Sequence, residues 1–277
     1  MSFGERVRRV LDERGPLCVG IDPHVPLLRE WGLEASAAGV REFGLRVVEA
    51  AAPSAGIVKP QVSFFEPYGS AGFAALEEVV AAARAAGLLV IADAKRGDIG
   101  TTMDAYADAW LTPGAPLEAD ALTVNPFLGT GTLAHAFDLA HAHGKGVFVL
   151  AATSNPDAET SQRARLQDGS TVSAHIVDEV SAVNAARTPA GEWGSLGFVI
   201  GGTVDWADAG LTPFSPPAPI LGPGFGHQGA DIADLARFGA AAPQVIASES
   251  RSLLGAGPDH LAKTITHRAQ EYRSARG

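Results

Sequence analysis

Four charged residues stand close together in the stretch Asp93-Ala94-Lys95-Arg96-Gly97-Asp98-Ile99-Gly100, directly after an apolar run, while Asp22 follows one earlier apolar run and Lys59 sits inside another. Side chains of these types can do acid–base work: a carboxylate steadies an ammonium, and a fixed ammonium can stabilise a developing carbanion and then protonate it. Residues two apart on a strand share a face, so the spacing predicts that Asp93 and Lys95 project together while Ala94 and Arg96 project the other way. Arg96 is therefore expected to point outward, to solvent or an interface. Asp98 lies beyond Gly97, in a turn before a helix expected to begin near Thr101, and spacing does not fix its direction; a neighbouring subunit is one place for it. A lone buried Asp–Lys pair is equally well a satisfied salt bridge. With Asp22, Lys59 and Asp98 also at strand ends the functional reading leads, because desolvating several charges brings no evident stability and marks a working site.

Something must hold these groups at one mouth. Apolar runs rich in Val and Ile recur at 17–21, 57–62, 88–92, 121–124, 147–151, 196–200, 218–221 and 245–247, which predicts eight strands. Helix-like segments such as 35–52 and 72–86 alternate with them, carrying Ala, Leu, Val, Glu and Arg at helical spacing. Near-continuous apolar strands imply burial on both faces, and eight repeats of the unit imply an α/β fold closed into a single (β/α)8 TIM barrel over 1–277, with its site at the carboxyl-terminal rim. The competing open sheet would need a glycine-rich turn after the first strand, and Gly20-Ile21-Asp22-Pro23-His24 does not supply it. Two regions interrupt the rhythm: 153–169, polar, and 211–229, rich in Pro and Gly. Both are expected as loops, after strands five and seven, and Gly222 to Gly229 could offer backbone N–H groups to an anion.

Composition narrows the function classes. The chain has 277 residues, 46% of them hydrophobic, enough for a substantial core. A formal charge of −10 opposes general binding to nucleic acid or to a membrane surface, so an anionic small substrate would need local basic residues. The single cysteine, Cys18, lies in an apolar run, reads as a packed strand residue, and permits no intramolecular disulfide, as in a reducing cytoplasm. Residues 1–14 read as a charged amphipathic helix rather than an export signal, and no long apolar span follows.

The motif Asp93-Ala94-Lys95-Arg96-Gly97-Asp98-Ile99 resembles the signature of the orotidine 5'-phosphate decarboxylases. The resemblance extends to Gly20-Ile21-Asp22, Lys59-Pro60-Gln61, Thr123-Val124-Asn125-Pro126-Phe127 and Thr153-Ser154-Asn155-Pro156, the last two similar to the longer bacterial branch, and to Gly222-Pro223-Gly224, Gln228-Gly229 and Ser248-Glu249-Ser250-Arg251. It implies a cytoplasmic homodimer that converts orotidine 5'-monophosphate to uridine 5'-monophosphate without metal or organic cofactor. Carried over by position, Lys95 is the proton donor, Asp93 lies beside the substrate carboxylate, and Asp22 and Lys59 hold ribose hydroxyls and extend the charged network. Asp98 and Thr102 act across the dimer interface, Ser154 reads the pyrimidine amide edge, and Gln228 with Arg251 reaches the phosphate. His227, before that glutamine, departs from the small residue more usual there and is expected to face solvent. Asn125 either shapes the fourth loop or binds ligand.

Three rivals share parts of the pattern. A metal-dependent sugar-phosphate decarboxylase or aldolase of the same superfamily shares Asp-x-Lys-x-x-Asp but carries an acidic metal ligand where this chain has Lys59. A Schiff-base aldolase would need Lys95 as a nucleophile, which an ammonium flanked by carboxylates is not. A catalytically silent nucleotide-binding barrel would keep the phosphate loops without needing the full charge array.

Overall fold

The computed structural model describes residues 1–227 and 229–276. Helix α1 (Phe3–Arg14) precedes strand β1 (Leu17–Ile21), and α2 (Val25–Glu30) and α3 (Ala37–Ala51) lead to β2 (Ile57–Pro60). There follow α4 (Gly69–Ala85), β3 (Leu89–Arg96), α5 (Gly100–Leu111), β4 (Ala121–Val124), α6 (Ala134–His143) and β5 (Gly146–Ala152). Short α7 (Glu159–Gln162) and longer α8 (Val172–Arg187) come before β6 (Leu196–Ile200) and β7 (Ile220–Pro223). A kinked 3-10 segment (Ile232–Gln244) then gives β8 (Val245–Glu249), α9 (Arg251–Leu254) and α10 (Leu261–Arg276). The strands close into a barrel in sequence order, and β8 returns to β1 in parallel register with Cys18 opposite Ser248. This is the (β/α)8 TIM barrel that the alternation of elements predicts.

Both faces of each strand are covered, which is why the runs are apolar throughout. Val19, Val58, Val90, Leu122 and Val149 turn outward into one large core beneath the helices. Cys18, Ile57, Ile91, Ala121, Phe148 and Ile246 turn inward. Continuing along the inward face toward the carboxyl end, side chains become polar: Ile57 gives way to Lys59, Ile91 to Asp93, Ala121 to Thr123 and Ile246 to Ser248. One period-2 pattern thus builds a dry base and a charged mouth.

The base is closed by α1. Its Phe3, Val7 and Leu11 are buried in the inward cluster, with Phe3 edge-on to Phe148 at a centroid distance of 5.9 Å. Gly146 makes room, since a Cβ there would fall 2.2 Å from the Phe3 ring. Arg6 donates to Asp120 Oδ1 at 2.5 Å, and the Trp193 N–H donates to Glu5 Oε1 at 2.9 Å.

Several boundaries differ from the sequence expectation, each for a local reason. Strand two is expected to reach 62 but ends at Pro60; Gln61 still donates to the Ile21 carbonyl at 3.1 Å, and the chain then turns into a 3-10 segment at Val62–Phe64. Strand three was expected to stop at 92, where apolar residues end, yet continues through Asp93 and Lys95 to Arg96; strand eight likewise runs on to buried Glu249. The Pro/Gly-rich region 211–229 is not one loop, because β7 lies inside it: its first part follows β6, and only the residues from Gly224 on follow β7. In 153–169 the loop carries α7 and a 3-10 turn at Pro156–Ala158. Cys18 is fully buried, and burial pushes its thiol up to about 12.

Replacing Phe3 with Ala leaves a cavity at the base of the barrel. Phe3→Ala is expected to lower the unfolding free energy by about 3–5 kcal/mol, read from the urea midpoint and slope; a loss below about 1 kcal/mol would show that the plug lies outside the cooperative core.

Candidate active site

The charged mouth is built around Asp93. Its Oδ2 accepts from Lys59 Nζ at 2.8 Å, and its Oδ1 accepts from Lys95 Nζ at 2.5 Å and from the Thr123 hydroxyl at 3.0 Å. The side chains of Lys59 and Asp93 are each 8% exposed, whereas that of Lys95 is 45% exposed, so of the two ammoniums only Lys95 opens to a ligand. Burial works against charge on Lys59, but the attraction of Asp93 and Asp22 outweighs it and holds the lysine above its ordinary range. Burial likewise pushes Asp93 up, and the two lysines outweigh that, holding the carboxyl below the usual carboxylate range. Lys59 and Lys95 are balanced by Asp93 and Asp22, so the net positive charge of the mouth comes from Arg251.

Asp93 and Lys95 meet as expected, but not by strand alternation alone. The β3–β4 register shifts between Ala92 and Arg96, and Lys95 has φ 47, the one non-glycine residue with positive φ among the described residues. Such backbone costs about 1–3 kcal/mol and persists only when its surroundings impose it. Here the Lys95 N–H donates to Thr123 Oγ1 at 2.9 Å, so one threonine fixes both the carboxylate and the lysine backbone.

Around this array lies a cavity of about 220 Å³, lined by Asp22, Lys59, Gln61, Asp93, Lys95, Ser248, Ser250 and Arg251 together with residues from the loop after β7. Asp22 Oδ1 and Ser250 Oγ are buried without a hydrogen-bond partner among the described residues. Arg251 is exposed at the start of α9. His227 does not simply face solvent: it is exposed and also lines this cavity. Within the loop, the N–H groups of Gly226 and Gly229 are turned onto the carbonyls of Ala230 and Gly226, so those two are not presented to an anion. Lys95 also borders a second, larger cavity of about 810 Å³ with Asn125, Phe127, Thr130, Leu150 and Ile176.

Other sequence-predicted residues fall elsewhere. Ser154 is exposed and lines a separate hollow of about 160 Å³ with Thr153, Asn155, Gln162 and Arg163. Asp98 accepts the Ile99 N–H at 2.8 Å and Thr102 is exposed on the first turn of α5; neither lines the cavity of its own subunit's Lys95. Gln228 lies outside the described residues. Asn125 Oδ1 accepts the Phe127 N–H at 3.0 Å and so shapes the fourth loop. Arg96 points away from the barrel interior and is partly exposed: it donates to Glu66 at 2.7 Å and lies over the Tyr106 ring at 5.4 Å. Thr123, Gln61 and Ser248 were given no site role from sequence, and the signal for Thr123 and Ser248 was the inward alternation of β4 and β8.

Among the described residues no group of three or more His, Cys, Asp or Glu side chains is gathered to hold a metal ion, and beside Asp93 the buried Lys59 ammonium fills the space a cation would take. The arrangement suits binding an anionic ligand and protonating carbon or oxygen from Lys95.

Residues 15–262 match the family model described as "Orotidine 5'-phosphate decarboxylase / HUMPS family". An orotidine 5'-phosphate decarboxylase of Salinispora tropica is 50% identical over 94% of this chain and 92% of its own length. One from Streptomyces coelicolor is also 50% identical, over 99% of this chain and 98% of its own. A crystal structure ascribed to the same enzyme of Streptomyces avermitilis superposes with a TM-score of 0.92 at 47% identity, covering 99% of this chain and 95% of that one. The Leishmania donovani OMP decarboxylase gives 0.78 at 28% identity, covering 100% and 99%. With its barrel, its charged array and these similarities, the chain belongs to the orotidine 5'-phosphate decarboxylase / HUMPS family.

Proposed function

We propose that this chain decarboxylates orotidine 5'-monophosphate to uridine 5'-monophosphate and carbon dioxide, a step of pyrimidine biosynthesis, with no metal or organic cofactor. The observation that carries the reading is the Lys59–Asp93–Lys95 array opening into the same cavity as Arg251. Loss of carbon dioxide from C6 leaves an electron pair in an in-plane orbital that the ring π-system does not delocalise. The Lys95 ammonium, fixed by Asp93, stands beside that pair and then delivers its proton. At about 4 Å and an effective dielectric near 20, such a contact is worth roughly 4 kcal/mol, so it does not account for the acceleration alone. Binding of the remote phosphate by Arg251, with Gln228 from the loop, drives closure and preorganises the reacting end. Asp93 lies beside the substrate carboxylate, and Asp22, whose free Oδ1 is ready to accept, holds a ribose hydroxyl. Ser154, from its own hollow after β5, reads the pyrimidine amide edge.

The enzyme works as a homodimer in the cytoplasm, with Asp98 and Thr102 completing the site of the partner. Their position off their own Lys95 cavity supports this, as do the exposed apolar side chains of Ile99, Phe127 and Leu128 on the loops after β3 and β4. A buried, unpaired Cys18 suits a reducing compartment, and among the described residues no helix is long and apolar enough to cross a membrane.

The direct test is conversion of orotidine 5'-monophosphate to uridine 5'-monophosphate, followed by ultraviolet absorbance, after exhaustive treatment with chelator. The rate is expected to be undiminished; activity lost to chelator and restored by magnesium would favour the metal-using relatives.

Subunit sharing makes a quantitative expectation. Lys95→Ala and Asp98→Ala homodimers should each be nearly inactive, and random exchange between them should restore about a quarter of wild-type activity, since half of the dimers are mixed and each has one intact site. No recovery after exchange verified by native mass spectrometry would rule out a shared site.

The array also sets a pH dependence. Asp93 is held below its unfolded value, so the stability it contributes is complete above about pH 4 and lost as pH falls through its depressed folded value; Lys59 is held above its own, so its contribution is complete below about pH 10 and lost as pH rises through the raised value. The stability difference between wild type and Asp93→Asn is therefore expected to be constant from about pH 5 to 9 and to shrink below about pH 4. A difference that already shrinks between pH 7 and 5 in denaturant titrations would contradict this charge assignment.

A further inference from the structure

We propose that Glu249, held by Tyr272, Arg268 and Ser252, is the positioning anchor for the phosphate side of the site, seating both the loop after β7 and Arg251; this rests on the decarboxylase reading above. Glu249 ends β8 and is 1% exposed, yet it does not line the cavity. Its Oε1 accepts from Tyr272 Oη at 2.6 Å and from Arg268 Nε at 2.7 Å, and its Oε2 accepts from Ser252 Oγ at 2.8 Å. A carboxylate buried this deeply is costly unless it is charge-paired and hydrogen-bonded, and here both oxygens are.

What the network touches distinguishes it from a simple tie between α10 and the barrel. The loop after β7 rests on it at three places. At the entrance, the Phe225 ring packs edge-on against Tyr272 at 6.2 Å. In the middle, a Cβ at Gly226 would fall 2.4 Å from Ser252 Oγ and 3.0 Å from Glu249 Oε2, so the bare loop backbone lies directly against the anchor. At the exit, Arg268 Nη2 stands 3.6 Å from Asp231, which caps the next turn by accepting the Ile232 N–H. On its other side, Glu249 is two residues from Arg251, and Ser252, which it holds, is the next residue. The loop and the arginine that grip the phosphate therefore share one buried reference point at the end of β8, braced from α10 by Tyr272 and by Arg268, which lies over the Tyr272 ring at 5.0 Å.

Tyr272→Phe and Ser252→Ala each remove one donor without changing charge, and Gly226→Ala pushes the loop off the anchor from the opposite side. Dissociation constants for uridine 5'-monophosphate and for uridine are measured by calorimetry on the full chain, with circular dichroism to verify the fold. Uridine 5'-monophosphate is expected to bind about tenfold more weakly in Tyr272→Phe and Gly226→Ala, and several-fold more weakly in Ser252→Ala, while uridine changes by less than about twofold. Equal weakening of both ligands would make the network general scaffolding and overturn the proposal, as would unchanged nucleotide binding in a folded variant. Should Tyr272→Phe fail to fold, Ser252→Ala, a change at an exposed residue, decides by the same ratio. Because binding is read without turnover, a wild-type chain that binds the nucleotide but does not decarboxylate its 6-carboxylate would sink the proposed activity and leave the anchor standing.

Discussion

A carboxylate shared between two ammoniums, in a place where water hardly reaches, is the constraint on which the mouth of this barrel depends. Asp93 cannot be buried alone, and buried Lys59 without it would keep only the attraction of Asp22. Satisfying it recruits β2 through Lys59, β4 through Thr123 and a bulged β3 that turns Lys95 back on itself. The result is a cation held in place before any ligand arrives. No reorganisation is then needed when charge develops nearby, which is where preorganised electrostatics gains over water.

Glu249 makes an instructive contrast. It too is a buried carboxylate at the end of a strand, with a cation and hydroxyl donors upon it. None of its partners lines the cavity, so its charge serves cohesion, whereas one of the two cations on Asp93 opens into it. The same physical device serves once to present charge and once to hold a loop in place. The difference is that Asp93 carries a second cation, exposed to the cavity, where Glu249 carries hydroxyl donors.

How much of this could be read from the sequence follows from what periodicity can see. Strands one, four and six were legible to the residue because apolar side chains begin and end with the strand. Strands three and eight were cut short because polar residues continue the ladder once neighbouring strands satisfy them, as Thr123 does for Asp93. The Asp93–Lys95 pairing was legible, but the left-handed backbone that brings it about was not, since only the Thr123 side chain on a strand distant in sequence imposes it. Alternation sends Arg96 outward, and there it meets Glu66 and Tyr106, partners that the spacing does not name. Ser154, Asp98 and Thr102 lie away from the cavity around their own Lys95, a placement set by the course of the loops after β3 and β5, which no spacing rule encodes.

The plug at the base has a consequence for the order of assembly. The seat of α1 is drawn from around the whole barrel, from Cys18 and Ile57 to Phe148 and Ile246, and the bond between Glu5 and Trp193 spans 188 residues. Only the closed barrel gathers all of these side chains at once. The plug is therefore completed by contacts of high sequence separation, the class that forms slowly, and the base closes with the last strand pairing rather than before it.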